Sequence, residues 1–222
     1  MNLAYKIGQL RNLLFRGKHR HAAARWVFIY GQPRSGTTYV MQQFLRISRG
    51  GFGDWELKEF ADPIRQARER DWVSLDTDRL VSDLRNNLFA TADIGSGSRF
   101  DMAVKQITTT KNEFDFLCEL MGSEPEHRLF LYREPDGWLA SAYEKFGFSE
   151  AEALEVFRQG FASWEAIGGQ RACYGPEITA LLESLGVFEG VSLTGFNPKR
   201  AEAPKAPEAF HALYSAFVRS PE

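Results

Sequence analysis

Strand and helix signals alternate along this chain, and the alternation predicts an α/β fold with a mainly parallel central sheet flanked by helices. Three observations carry that expectation. Residues 26–30, Trp-Val-Phe-Ile-Tyr, are a continuous apolar run of β-formers, the pattern of a strand buried on both faces. A glycine-bearing turn and a helical pattern follow it at once. Two further short apolar runs, 101–107 and 128–132, each lead into helix-start chemistry.

Residues 3–17 place Leu3, Ile7, Leu10, Leu14 and Phe15 at helical spacing among Lys6, Arg11 and Arg16. After the first strand a helix is expected from about Gly36 to Ile47, with Val40, Met41, Phe44 and Leu45 inward and Gly50-Gly51 as its stop. A polar-aromatic stretch, 52–73, precedes a helix near 77–89 that lines Leu80, Val81, Leu84 and Leu88 on one face. Gly95 to Ser98 read as a flexible break. Thr110 with Glu113, and Ser149 with Glu152, are capping boxes; the helices they open close at Gly122 and Gly168-Gly169. Pro176 and Gly186 bracket one more helix, and a short amphipathic helix is expected near 207–218.

At 222 residues the chain buries roughly 70% of its unfolded surface without needing a disulfide or metal. The linkers are too short to cut it, so 1–222 reads as one domain. It carries a basic N-terminal helical segment, 1–25, and an irregular C-terminal segment, 187–222. Eighteen Phe and five Trp predict an aromatic-rich core. Cys118 and Cys173 form no Cys-x-x-Cys pair and join no histidine cluster, so two free buried thiols and no metal site are expected. No apolar run reaches the roughly 20 residues of a membrane span. A cytoplasmic location is therefore the default expectation.

The net charge of −2 hides an asymmetry. Nine basic residues precede the first acidic one, Asp54, and 18 basic against 29 acidic residues leave the remainder at −11. That distribution predicts an anionic partner for the N-terminal half. No nucleic-acid motif accompanies it, so nucleic acid is not expected. The basic N-terminal helix also suits a peripheral membrane contact, against the plainer expectation that it packs on the domain.

Gly31-x-x-x-x-Gly36-Thr37-Thr38 has the glycine spacing of a P-loop, placed after a buried strand and before a helix. Exposed backbone amides and the positive helix end make such a loop an anion cradle. The architecture expected is therefore P-loop NTPase-like. The lysine that would reach outer phosphates is replaced by Thr37, while Arg34 inside the loop supplies a charge. The strand 128–132 ends in Arg133, a cation where a magnesium-binding acid is needed. Arg133-Glu-Pro135, with Ser141 eight residues on, is a second anion site, expected on the same sheet edge.

These residues resemble the sulfotransferases that use 3′-phosphoadenosine 5′-phosphosulfate (PAPS). Pro33-Arg34-Ser35-Gly36-Thr37-Thr38 matches the family's 5′-phosphosulfate loop, and Arg133-x-Pro with Ser141 matches its 3′-phosphate motif; the likeness covers about residues 26–147. The resemblance implies metal-free transfer of a sulfuryl group to an acceptor hydroxyl on a carbohydrate, lipid or small metabolite. It implies that Arg34 and the Thr37/Thr38 region meet the bridging oxygen of the departing nucleotide, and that Lys105 helps stabilise the transition state. Small-molecule members carry a histidine shortly after that lysine, where this chain has Ile107 and Thr108. Other members use a glutamate after the loop helix. Glu56 stands there, with Asp54 and Glu59 as rivals, and a solvated acidic cluster stays open. The family's Tyr-Glu-Asp-Leu strand survives only as Cys173-Tyr-Gly-Pro-Glu177, and Asn197-Pro-Lys199-Arg200 stands in for its basic closing loop. Two other readings remain: a degenerate P-loop kinase or NTPase, and a non-catalytic nucleotide-binding protein.

Overall fold

The computed structural model describes residues 23–53, 76–195 and 205–220. Its elements run β1 (Trp26–Gly31), α1 (Thr37–Leu45), β2 (Ser48–Phe52), α2 (Thr77–Thr91), β3 (Asp93–Ile94), β4 (Phe100–Ile107) and α3 (Lys111–Met121). They continue with β5 (His127–Tyr132), α4 (Pro135–Phe146), α5 (Glu150–Ile167), β6 (Gln170–Cys173), α6 (Pro176–Ser184) and α7 (Glu208–Arg219). The sheet order is β3-β2-β4-β1-β5-β6. Five strands are parallel, and β3 pairs antiparallel to β2 at one edge. This is the P-loop-like α/β architecture that the strand and helix alternation predicts.

β1 lies at the centre because it can be buried on both faces. Trp26, Phe28 and Tyr30 enter one layer with α2, α3, α4, α5 and α7; Val27 and Ile29 enter the other with α1 and α6. Period-two alternation splits one apolar run between two cores. The first layer is the aromatic one. Phe161 stacks on Phe217 at 4.2 Å, and Trp138 meets Phe157 at 4.9 Å. These contacts tie α5 to both α7 and α4. Arg171, between the rings of Trp164 and Phe217, donates to the carbonyls of Phe217 and Ser220 and closes the end of α7.

Several local expectations are corrected. Gly50-Gly51 is no helix stop but part of β2, paired on one side with β4 and on the other with β3. The Gly95–Ser98 break is a tied turn, in which the amides of Gly95, Ser96 and Gly97 donate to Arg49, Leu45 and Ser48. On α2, Leu88 is buried and Val81 and Leu84 pack on the core, but Leu80 is 36% exposed and Phe89 takes the inward place. Both cysteines are free, yet half-buried rather than buried. The capping boxes at Thr110 and Ser149 form as expected. The N-terminal helix near 3–17, the residues Asp54, Glu56 and Glu59, and the 197–200 loop lie outside the described residues.

The N-terminal charge excess is also redistributed. Of its four described members, Arg25 pairs with Glu126 at 2.7 Å, Arg49 with Asp101 at 3.5 Å, and Arg46 donates to the Ser192 carbonyl. Only Arg34 among these four faces the ligand edge described below. No helix among the described residues is long and apolar enough to cross a membrane.

β1 ends against its neighbour so closely that a Cβ at residue 31 would overlap the Leu131 carbonyl oxygen, and φ is +153° there. Gly31→Ala is expected to lower stability by about 3 kcal/mol through overlap plus backbone strain. A fall in the urea midpoint at unchanged slope measures it.

Candidate anion-binding site

The loop from Gly31 to Gly36 is built of backbone conformations that most residues avoid. Arg34 has φ +66° and Gly36 has φ +93°. Alternating hands turn successive amides toward a common point, the geometry of an anion nest. α1 begins at Thr37 with no side-chain cap and no acidic residue in its first turn. Its helix dipole therefore meets the cleft uncompensated by any local carboxylate.

The loop is held from behind by Gln32, which is fully buried. Its amide Nε2 donates to Phe157 O at 3.2 Å, its Oε1 accepts from the backbone amide of Arg133 at 3.1 Å, and its own amide donates to Leu131 O at 3.0 Å. The Ser35 hydroxyl donates to the Gln32 carbonyl at 2.6 Å, and the Trp138 indole donates to Pro33 O at 2.8 Å. Neither Gln32 nor Trp138 figured among the expected site residues. A buried loop glutamine carries no pattern in sequence, because its partners outside the loop come from α5 and the end of β5.

In front of the loop lies a cleft of about 750 Å³, within the usual range for small-molecule sites. Seven of the expected residues line it: Pro33, Arg34, Gly36, Thr37, Thr38, Arg133 and Ser141. The two motif segments meet directly, since Arg34 Nε donates to Ser141 Oγ at 2.9 Å. Ser35 is turned inward, and its hydroxyl is spent inside the loop. Lys105 does not line the cleft but reaches its edge, with Nζ 3.5 Å from Thr38 Oγ1. A cation from β4 thus approaches the first helical turn, where the loop itself lacks the P-loop lysine.

Arg133 is 7% exposed, and its guanidinium lies 4.2 Å over the ring of Tyr174. Glu134 is 3.7 Å from its Nε, beyond hydrogen-bond reach, and that buried Nε has no hydrogen-bond partner. Gly137 makes room: a Cβ there would come within 2.9 Å of Arg133 Nε and Nη2. An orphaned, buried guanidinium N–H on the wall of a cleft fits an anionic group such as phosphate. Among the described residues no group of three or more His, Cys, Asp and Glu gathers as metal ligands would.

Two further features have no site role in the sequence reading. Tyr174, which packs against both the Arg133 guanidinium and the flank of Gly36, bridges the two anion segments. Glu144, Lys145 and Phe146, from the last turn of α4, line the same cleft. Helical spacing from Ser141 would have found the first two, since residues three and four apart share a face. Thr108, a β-branched residue with φ +53°, closes the end of β4 by donating its amide to Gly31 O at 3.2 Å.

Two outcomes follow from this geometry. Tyr174→Leu is expected to weaken binding of inorganic phosphate to the cleft about tenfold by titration calorimetry, because the Arg133 guanidinium loses the ring beneath it. Tyr174→Phe, which keeps the ring under Arg133, should match wild type. Burial, the largest cause, pushes the Cys118 thiol up to about 12 and the Cys173 thiol up to about 11. Raised values keep both protonated at pH 8, so iodoacetamide should modify neither in the native chain and both in denaturant; mass spectrometry reads the difference.

Compared with known proteins, the chain matches no family model and no curated protein.

Proposed function

We propose that this chain is a PAPS-dependent sulfotransferase. The observation that carries the reading is the Arg34–Ser141 contact, which joins the phosphosulfate-like loop and the 3′-phosphate-like motif in one cleft. A ligand phosphorylated at two separated places suits two cationic subsites on one wall. PAPS, when bound, supplies an activated sulfuryl group: its S–O bond to the nucleotide breaks as an S–O bond to the acceptor oxygen forms, and adenosine 3′,5′-bisphosphate departs.

The chain's own groups have three tasks. The amides and helix end of 33–38 hold the 5′ end, and Arg133 with Ser141 holds the 3′-phosphate. Arg34 and Lys105 bring positive charge to the side where the departing oxygen gains negative charge, so they act most strongly in the transition state. A carboxylate takes the acceptor proton, and Glu56 is the residue proposed for it, with Asp54 and Glu59 as alternatives. The acceptor is a hydroxyl compound of carbohydrate, lipid or small-metabolite type. Contact of residues 1–25 with a membrane surface remains part of the proposal and is read by liposome co-sedimentation at low salt.

The test is transfer of labelled sulfate from PAPS to an acceptor panel in the presence of EDTA. Activity should survive chelation, and the bisphosphate should raise the melting temperature where ATP with magnesium does not. Stabilisation by ATP-magnesium alone would overturn the reading in favour of a kinase or NTPase. Arg34→Ala is expected to lower kcat/KM by about 10²–10³-fold. Glu56→Ala should lower kcat by about 10²–10⁴-fold. Full activity in Glu56→Ala would remove that residue from the role.

A further inference from the structure

β1 leaves the sheet at Gln32, and a side chain takes over there from the backbone. The parallel register with β5 runs from Val27 with His127 to Gly31 with Leu131, so continuation would give residue 32 two ladder bonds. The Gln32 amide makes the first, to Leu131 O at 3.0 Å. The second would run from the Arg133 amide to the Gln32 backbone carbonyl. That amide donates instead to Gln32 Oε1 at 3.1 Å. The released carbonyl turns into the loop and accepts from the Ser35 hydroxyl at 2.6 Å. One carboxamide thus stands in for a backbone carbonyl, and the chain turns away at Pro33 while the end of β5 keeps a partner.

Room for that carboxamide comes from α5. Gly160 lies inside this 18-residue helix, where glycine is the poorest helix former after proline. Its bareness has a use: a Cβ at 160 would stand 2.4 Å from Gln32 Cγ and 3.4 Å from its Nε2. Three residues earlier in the same helix, Phe157 O accepts from Gln32 Nε2 at 3.2 Å. With the nitrogen held by α5, the oxygen is aimed at the Arg133 amide. Neither Gln32 nor Gly160 lines the cleft.

We infer that Gln32, seated on Gly160, is a positioning residue that sets the interval between the two anion subsites, so that a ligand carrying both anions gains over a ligand carrying one. This rests on the sulfotransferase reading, which gives one ligand to both subsites. Replacing the side chain spares the loop's other ties, the Gln32 amide to Leu131 O and the Trp138 indole to Pro33 O. The loop subsite therefore survives the change, and its link to Arg133 is what goes.

Titration calorimetry on the full chain with adenosine 3′,5′-bisphosphate and adenosine 5′-phosphate tests it. Gln32→Ala should lower the preference for the bisphosphate about tenfold while 5′-phosphate affinity stays within threefold. Gln32→Met, which fills the space without either hydrogen bond, should do the same. Gly160→Ala displaces the glutamine and should also lower the preference. The double variant Gln32→Ala with Gly160→Ala should lose no more than Gln32→Ala alone, because no glutamine remains to displace. An undiminished preference in Gln32→Ala, equal losses for both nucleotides, or losses that multiply in the double variant overturn the role. A wild-type chain with no preference for the bisphosphate overturns the sulfotransferase reading instead. Amide hydrogen exchange then decides the tie itself. Relative to Phe130 in the same variant, the Arg133 amide should exchange at least tenfold faster in Gln32→Ala and Gly160→Ala than in wild type, and an unchanged ratio overturns it.

Discussion

The side chain of Gln32 is the constraint from which the site takes its form. One buried carboxamide accepts from the amide of Arg133 and donates to a carbonyl of α5, so the end of β1, the end of β5 and a helix of the aromatic layer share one set of hydrogen bonds. Leaving such a buried polar group unpartnered costs about 1–3 kcal/mol, which makes a shifted loop unfavourable. The indole of Trp138 adds a second tie from α4 to Pro33. The unusual φ of Arg34 persists because these ties over-determine the turn around it.

Rigidity of this kind has an electrostatic purpose. Backbone amides and guanidinium groups stabilise an anion well when they need not move to meet it. Arg133 illustrates the arrangement. Burial would disfavour an isolated guanidinium, but Tyr174 supports its face, Glu134 stands 3.7 Å from its Nε, and that buried Nε has no hydrogen-bond partner. The cation thus keeps one unspent donor on a residue that lines the cleft.

Much of this was legible in the sequence, and what was legible is local. The capping boxes at Thr110 and Ser149, the glycine at 122 and the run 26–30 announce their elements because the determining atoms lie within a few residues. β2 was hidden because Gly50 and Gly51 look like a helix stop, and only pairing with β4 and β3 makes them a strand. β6 is a four-residue edge strand containing Gln170 and Arg171, with no apolar run to declare it. In the site, the two motifs and their meeting on one edge followed from loop chemistry and sheet topology. Gln32 and Tyr174 did not, because their significance lies in partners brought close only by the fold.

β1 and β5 are hydrogen-bonded neighbours, in register from Val27 with His127 to Gly31 with Leu131. The loop leaves the end of one strand and Arg133 leaves the end of the other. The separation between the two anion subsites is thus tied to the interval between adjacent parallel strands, about 4.8 Å, plus what two short turns add. Insertions elsewhere in the chain can reshape the mouth of the cleft without touching that interval. The sheet acts as a ruler for the two loops, and under the proposed function it fixes the interval that the ligand's two anionic groups have to match, with the reach of Arg34 and Arg133 added.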